Sequence, residues 1–325
     1  MFCFGACGAE TESAKSFLER LSSSLRQLNF TTSFVVVKNN QVAPYHWLHG
    51  IGEENQELEI LTRLNGSRRD ILRRGDIISY IEPEKEPYSI ISKNIQGPIP
   101  AVFRGEISLL EDSYRFISVG RSRVLGRVAQ LVRIVAKDKY RFSYWLWLDQ
   151  QTGLLLKLAV VTRKGQVLEQ VQFTHIEVNE TLPDSLDKFQ TAELPAIIKV
   201  KPLDKVQSLG WEIGWLPEGF NLIKSNKHNL SGHNQDADKP VEFLMFSDGL
   251  IDLSVYVNST KINFMAPEYA SDGATIVFNH ISQGMEVGIV GDIPLVTARK
   301  IADSIIEVPL NKGNIINDNL QGSDK

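Results

Sequence analysis

The chain has 325 residues, which is enough for two domains that each bury a core of their own. Its formal net charge of -4 gives no dominant basic field, so a nucleic-acid binder is disfavoured. Both cysteines, Cys3 and Cys7, lie at the start, which leaves no disulfide framework for the remaining body.

The first residues, "MFCFGACGAE", are apolar and rich in small side chains. This composition is typical of the end of a secretory signal, so residues 1–12 are predicted to be a residual signal-like segment. No later apolar run reaches the ~18 residues that a membrane helix requires.

The larger predicted domain, residues 13–190, opens with a helix and continues as strands. Phe17, Leu21, Leu25 and Leu28 recur at helical spacing over 13–28 and predict one apolar stripe. Strand-like segments follow at 30–37, 42–49, 56–64, 69–74, 77–81, 88–91, 114–119, 124–136, 140–148, 154–163 and 166–178. Many sequential strands after one early helix favour an antiparallel sheet curved strongly around that helix.

The second half of the chain predicts a smaller α+β domain. A proline-bearing region around 179–210 with one short helical stretch includes a predicted linker at 191–210, and the domain spans 211–310. Its strands are expected at 241–246, 250–257, 274–281 and 286–290, before a helix near 294–306 with Asp292 and Pro294 at its start. The polar end, 311–325, is predicted to be disordered.

The stretch "RFSYWLWLDQQTGLLLK" at 141–157 is apolar on both strand faces. A half-exposed strand alternates apolar and polar residues, so one face should pack in the core and the other could line a cavity for an apolar ligand. A thick ordinary core is the alternative, and the sequence does not tell which face is which. The cavity candidates are Phe142, Tyr144, Trp145, Trp147, Leu155 and Leu158.

Arginine is concentrated in the larger domain, and Arg299 is the only one after residue 190. Guanidinium groups suit bidentate pairing with carboxylate or phosphate, so two clusters are candidates for contact with an anion or a partner. A solvated basic face is the alternative. The candidates are Arg68, Arg69, Arg73 and Arg74 in the first cluster and Arg121 and Arg123, with Arg127 nearby, in the second.

The sequence offers no catalytic or metal-binding constellation. His46 and His49 point to opposite faces of a predicted strand, and no Gly-x-Ser-x-Gly motif or distinguished Ser, His and Asp set occurs. We therefore expect a protein that is not an enzyme and needs neither metal nor cofactor.

Several segments together resemble one family. These are "SRRDILRRGDIISYIEPEKEPYSI", "FISVGRSRVLGRVAQLVRIVAKD", "RFSYWLWLDQQTGLLLKL", "WLPEGF", "FSDGL" and "VGDIPLVTARKIADSI", in order between about 13 and 307. They are similar to the RseB/MucB family of sigma-E factor regulatory proteins. The resemblance implies a β-dominated α+β fold: a half-open antiparallel β-barrel with a packed helix, like that of lipoprotein carriers, plus a smaller α+β domain.

The same resemblance implies a function. A member of this family is a periplasmic regulator that binds the periplasmic part of a membrane-bound anti-sigma factor, shields it from the first site protease and represses the sigma-E stress response. Lipopolysaccharide or mislocalised lipoprotein relieves that block, and homo-oligomers are possible. A periplasmic lipid or lipoprotein carrier is the alternative function, and an unrecognised hydrolase the third.

Overall fold

The computed structural model describes residues 13–93, 95–198, 210–228, 241–258 and 268–308. The predicted signal-like segment 1–12, the predicted tail 311–325 and residues 199–209 of the predicted linker lie outside the described residues. No helix in the described ranges is long and apolar enough to cross a membrane.

The described residues contain three α-helices: α1 (Ala14–Gln27), α2 (Asp184–Gln190) and α3 (Leu295–Asp303). Ser13 caps α1, because its Oγ accepts a hydrogen bond of 3.1 Å from the Ser16 amide. Phe17, Leu21 and Leu25 are buried as the predicted stripe requires, whereas Leu28, the fourth predicted member, is half-buried in extended backbone just after the helix. Short 3-10 turns lie at Glu53–Asn55, Ala101–Arg104 and Ile107–Leu110.

Eleven strands form the large sheet: β1 (Asn29–Lys38), β2 (Gln41–Ile51), β3 (Glu57–Arg63), β4 (Arg69–Arg74), β5 (Ile77–Ile81), β6 (Tyr88–Ile91), β7 (Tyr114–Val124), β8 (Arg127–Ala136), β9 (Ser143–Asp149), β10 (Leu155–Val161) and β11 (Val167–Asn179). Their order is β6-β5-β4-β3-β2-β1-β11-β10-β9-β8-β7, and every neighbouring pair is antiparallel. β6 and β7 stay at opposite ends, so the sheet does not close.

The large sheet has a core on each face. The main cluster joins α1 to side chains such as Phe34, Leu61, Tyr144 and Leu158, so the sheet curves around the helix as the sequence predicts. On the other face a small cluster packs α2 against β2 and β3. This arrangement confirms the predicted class, a half-open antiparallel barrel with a packed helix.

In its described residues, the smaller unit contains eight further strands. β12 (Trp211–Ile213) pairs with β19 (Ile305–Glu307), and a six-stranded antiparallel sheet contains β13 (Asn221–His228), β14 (Val241–Ser247), β15 (Asp252–Asn258), β16 (Glu268–Asp272), β17 (Thr275–Ser282) and β18 (Met285–Gly291). α3 packs on β17 and β18 through Ala298 and Ile301. The sequence predicts β14, β15, β17 and β18 and misses the other four strands.

Three predicted details are wrong. The strand predicted at 124–136 begins at Arg127, because Leu125 and Gly126 form a turn with positive φ. The helix predicted to reach 306 ends at Asp303, and Ile305 lies in β19. Asp292 does not cap α3, since its Oδ1 accepts a hydrogen bond of 2.6 Å from Thr275 Oγ1.

Candidate functional site

A cavity of about 960 Å³ lies between the concave face of the large sheet and the smaller unit. Both units and the segment that links β6 to β7 supply its walls. The apolar lining from the large sheet consists of Val36, Tyr45, Leu61, Ile71, Tyr144, Leu158 and Val160. A volume in the range of 300–1,000 Å³ is typical of a site for a small ligand, and the walls here are mixed, with polar and apolar groups both well represented.

Charged groups surround part of this cavity. Lys38 at the end of β1 and Glu169 in β11 form an ion pair with Nζ 3.1 Å from Oε2, and Arg63, Arg69 and Asp292 also line the space. Burial raises the pKa of Glu169 above its ordinary value, and the Asp292 carboxylate adds to this, although Lys38 opposes it. An entering ligand therefore meets apolar walls with cations and carboxylates among them.

The linking segment is held against the sheet by a buried ion cluster. Glu59 of β3 is inaccessible to solvent; both its carboxylate oxygens accept hydrogen bonds from Arg104, and Arg73 Nη1 lies 3.0 Å from Oε1. Trp47 Nε1 donates to Oε2 at 2.9 Å. Burial alone would raise the pKa of Glu59, but Arg104, together with His49 and Arg73, outweighs this effect and holds that pKa at about 2.

The two units are joined at one end by a buried arginine. Arg141, which precedes β9, is 1 % exposed; its Nε donates to Asp248 Oδ2 at 2.7 Å, and it also contacts Asp138 and the Glu218 carbonyl. Tyr114 Oη donates to the same Asp248 oxygen at 3.0 Å. Glu218 lies in "WLPEGF" and Asp248 in "FSDGL", so both segments dock onto the large sheet. This contact set is called the Arg141 clamp below.

A second junction between the units lies where β1 ends and β11 begins. Besides the pair with Glu169, Lys38 Nζ lies 4.0 Å from Asp272 Oδ2, and Asn39 Nδ2 donates to Asp272 Oδ1 at 3.2 Å. The Ala274 amide donates to Glu169 Oε2 at 3.5 Å. These groups, called the Lys38 latch below, are more exposed than the clamp: the side chain of Lys38 is 29 % exposed and that of Asp272 67 %.

The strand pair at 141–158 is apolar on both faces for two different reasons. Tyr144 and Leu158 line the cavity, Leu155 is buried in the main core, and half-buried Phe142 packs against that core. The two tryptophans lie on the opposite face and do not line the cavity: the Arg133 guanidinium stacks 4.5 Å from the centre of Trp145, and Lys157 Nζ lies 4.8 Å from that of Trp147.

The structure places the two predicted arginine clusters far apart in the large sheet. Seven strands separate β4, which carries the first cluster with Arg68 just before it, from β7, which carries Arg121 and Arg123. Their roles in binding stay predictions.

Within the first cluster, two arginines are occupied internally. Arg73 is buried against Glu57 and Glu59, and Arg74 Nη1 donates to three carbonyls at the end of α2 and just after it. Arg69 pairs with Glu82 at 3.0 Å and lines the cavity, while exposed Arg68 pairs with Asp70 at 2.8 Å.

The two histidines point to opposite faces of β2 and have different partners. His46 Nδ1 is 3.1 Å from Ser33 Oγ, whereas His49 is fully buried with Nδ1 2.7 Å from the Leu28 carbonyl. Burial lowers the pKa of His46, and His175 adds to this effect. Among the described residues no group of three or more His, Cys, Asp or Glu is placed to hold a metal ion.

Sequence reasoning missed the most strongly organised polar groups: Glu59 with Arg104, the Arg141 clamp and the Lys38 latch. The available signal was a charged residue flanked by apolar ones in a strand, as Glu59 is between Leu58 and Ile60 in "ELEILTR". Because a buried charge needs a partner, such a residue predicts an ion pair without telling which residue supplies it.

Comparison with known proteins shows matches along nearly the whole chain. The model of the MucB/RseB N-terminal domain matches residues 13–198, and that of the MucB/RseB C-terminal domain matches residues 205–306. The sigma-E factor regulatory protein RseB of Escherichia coli is 30 % identical over 302 residues, which cover 93 % of each chain. The sigma factor AlgU regulatory protein MucB of Pseudomonas aeruginosa is 28 % identical over 296 residues, or 90 % of each.

Solved structures also superpose along nearly the whole chain. A complex of Pseudomonas aeruginosa MucA and MucB superposes with a TM-score of 0.71 at 26 % identity, covering 91 % of this chain and 99 % of that one. A structure of MucB gives 0.58 at 25 % identity, with coverage of 90 % and 98 %.

Proposed function

The chain belongs to the MucB/RseB family, and from this premise we propose that it is a periplasmic regulator that binds the periplasmic part of a membrane-bound anti-sigma factor. The family match extends over both units. The relatives of the chain include sigma factor regulatory proteins of Haemophilus influenzae, Escherichia coli and Pseudomonas aeruginosa. MucB has been solved in complex with MucA(peri), which supports a binding role for the homologous surfaces here. The fold then serves recognition, and no catalytic step is required.

The observation that carries the proposal is the cavity walled by both units. A partner that binds surfaces of both units would gain or lose affinity whenever the units move relative to each other, which is what a regulator needs. By binding and covering a segment of the anti-sigma factor, the protein would shield that factor from the first site protease and keep the sigma-E response off. Lipopolysaccharide or mislocalised lipoprotein would reverse this by placing an acyl chain in the cavity.

A periplasmic lipid or lipoprotein carrier is the second candidate function, favoured by the apolar walls around Tyr144 and Leu158. A carrier has no evident use for the Arg141 clamp, which fixes a second unit beside the cavity. The regulator is therefore the better account of the whole chain.

Mixing the protein with the purified periplasmic part of an anti-sigma factor from the same genome tests the proposal. We expect a stable complex by calorimetry and slower cleavage of that partner by the site-1 protease. Lipid binding with no measurable affinity for the partner would instead establish the carrier.

A further inference from the structure

Strand β7 ends the large sheet and offers a free backbone edge. Within the described ranges, β8 is its only strand neighbour. Its outer half is open to solvent: Ile117 is 45 % exposed and Val119 46 %, and Arg121 and Arg123 are exposed as well. Unpaired N–H and C=O groups along such an edge can template the addition of another extended strand.

The hairpin that carries this edge is strongly basic. Residues 114–136 contain Arg115, Arg121, Arg123, Arg127 and Arg133 and no Asp, Glu or Lys, in a chain whose net charge is -4. Arg127 pairs with Asp149 at 2.9 Å, and Arg133 stacks on Trp145. In the part of the chain that the structure describes, no ion pair occupies the other three.

Charge decides which polypeptide the edge fits. Two copies joined edge to edge would place arginine against arginine, and like charges opposite each other destabilise a strand pair. The edge also has a bulge between Ser118 and Gly120, and bulges and cationic side chains both discourage self-pairing. An extended segment with acidic side chains instead gains both the backbone hydrogen bonds and the ion pairs.

We propose that the edge of β7 between Ile117 and Val124 is a docking strand for an extended, acidic polypeptide segment, which adds to the sheet as its twelfth strand. This surface is separate from the cavity and does not depend on the function proposed above. The arginines supply charge selectivity, the backbone supplies register, and Ile117 and Val119 contact apolar side chains that alternate with the acidic ones.

The test uses a short peptide of alternating Glu and Val with blocked ends, binding to the full chain. We expect saturable binding that weakens as salt rises, and slowed amide hydrogen exchange at 117–124. The same peptide N-methylated at alternate residues should not bind, because it lacks the donors that a strand ladder requires. A Lys and Val peptide should not bind either.

Two variants with the same charge change locate the site. Arg121→Glu with Arg123→Glu should lower affinity about tenfold, since each exposed pair contributes modestly and reversal adds repulsion. Arg163→Glu with Lys164→Glu, in the exposed turn between β10 and β11, should leave affinity within about twofold.

Equal weakening by both double variants would overturn the proposal, because only the general field would then matter. So would undiminished binding of the N-methylated peptide. Binding of phosphatidylglycerol vesicles without binding of the Glu and Val peptide would also overturn it and assign the edge to a lipid surface.

Discussion

At the scale of single residues, buried charges distinguish this protein from an ordinary β-rich fold. Among the described residues, Arg141 is the largest fully buried side chain, and its guanidinium faces carboxylates of both units. A buried ion pair adds little net stability over apolar packing, but removing one partner leaves the other charge uncompensated. We therefore expect Arg141 to make docking of the smaller unit specific.

Replacing this arginine tests that role. Arg141→Met should lower the free energy of unfolding by about 3–5 kcal/mol, because Asp248 is left buried without its cation. Arg163→Met, in an exposed turn, should change it by less than about 0.5 kcal/mol. Urea denaturation of both variants measures the difference, and equal midpoints would mean that the clamp does not join the units energetically.

Glu59 makes the free energy of unfolding depend on pH in the acid range. Its pKa falls from 4.5 in the unfolded reference to about 2 in the fold, so its contribution is full above pH 4.5 and is lost as pH falls through 2. That difference corresponds to about 3 kcal/mol. We expect Glu59→Gln to be less stable at pH 7 and to lose less stability between pH 5 and about 2.5 than the parent. Parallel pH profiles from denaturant titration would contradict this assignment.

At the scale of elements, apolar periodicity predicted those helices and strands that pack one face against a core. The α1 stripe and the strands from β1 to β6 follow from apolar spacing, because each has one face in a core. β16 was missed because all five of its residues are exposed, and an edge strand held by backbone pairing needs no apolar alternation. β12 and β19 have three residues each, too few for a period to show.

The sequence predicted the two faces of the strand at the candidate site, but not which face lines the cavity. Period 2 correctly put Tyr144 and Trp145 on opposite faces, yet both faces are apolar, so the sequence could not say which one lines the cavity. The tryptophans can lie on the outer face because cations on neighbouring strands cover their rings: Arg133 covers Trp145, and Lys157 covers Trp147. Partners from distant segments, such as Arg104 for Glu59, have no local signal at all.

The two faces of β9 and β10 give an element-scale prediction. Leu158→Trp projects a larger ring into the cavity and should weaken binding of a fluorescent fatty-acyl probe about tenfold or more, if the variant keeps the parent's thermal unfolding midpoint. Trp147→Ala, on the opposite face, should leave probe affinity unchanged. A loss with Trp147→Ala and none with Leu158→Trp would place the ligand on the convex face.

At the scale of the whole molecule, two polar junctions between the units, the Arg141 clamp and the Lys38 latch, differ in burial, and Tyr140 adds contacts to Thr297 and Trp215 beside the clamp. The Arg141 clamp is buried, whereas the Lys38 latch is partly exposed, and exposed ion pairs contribute only ~0–1 kcal/mol each. The units should therefore part more easily at the latch, with the clamp acting as the pivot. The cavity lies between them, so its occupant can favour one arrangement over another.

This asymmetry leads to a prediction about coupling between ligand and partner. An acyl ligand that prefers one arrangement of the units can change partner affinity only by the size of that preference, typically ~1–3 kcal/mol or about 5- to 150-fold. Titrating partner affinity against rising lipid should therefore reach a plateau, and the Leu158→Trp variant should show no response. An affinity that falls without limit would mean direct competition for the cavity. Partner affinity that stays constant while lipid binds would remove the sensing role and leave the carrier function in its place.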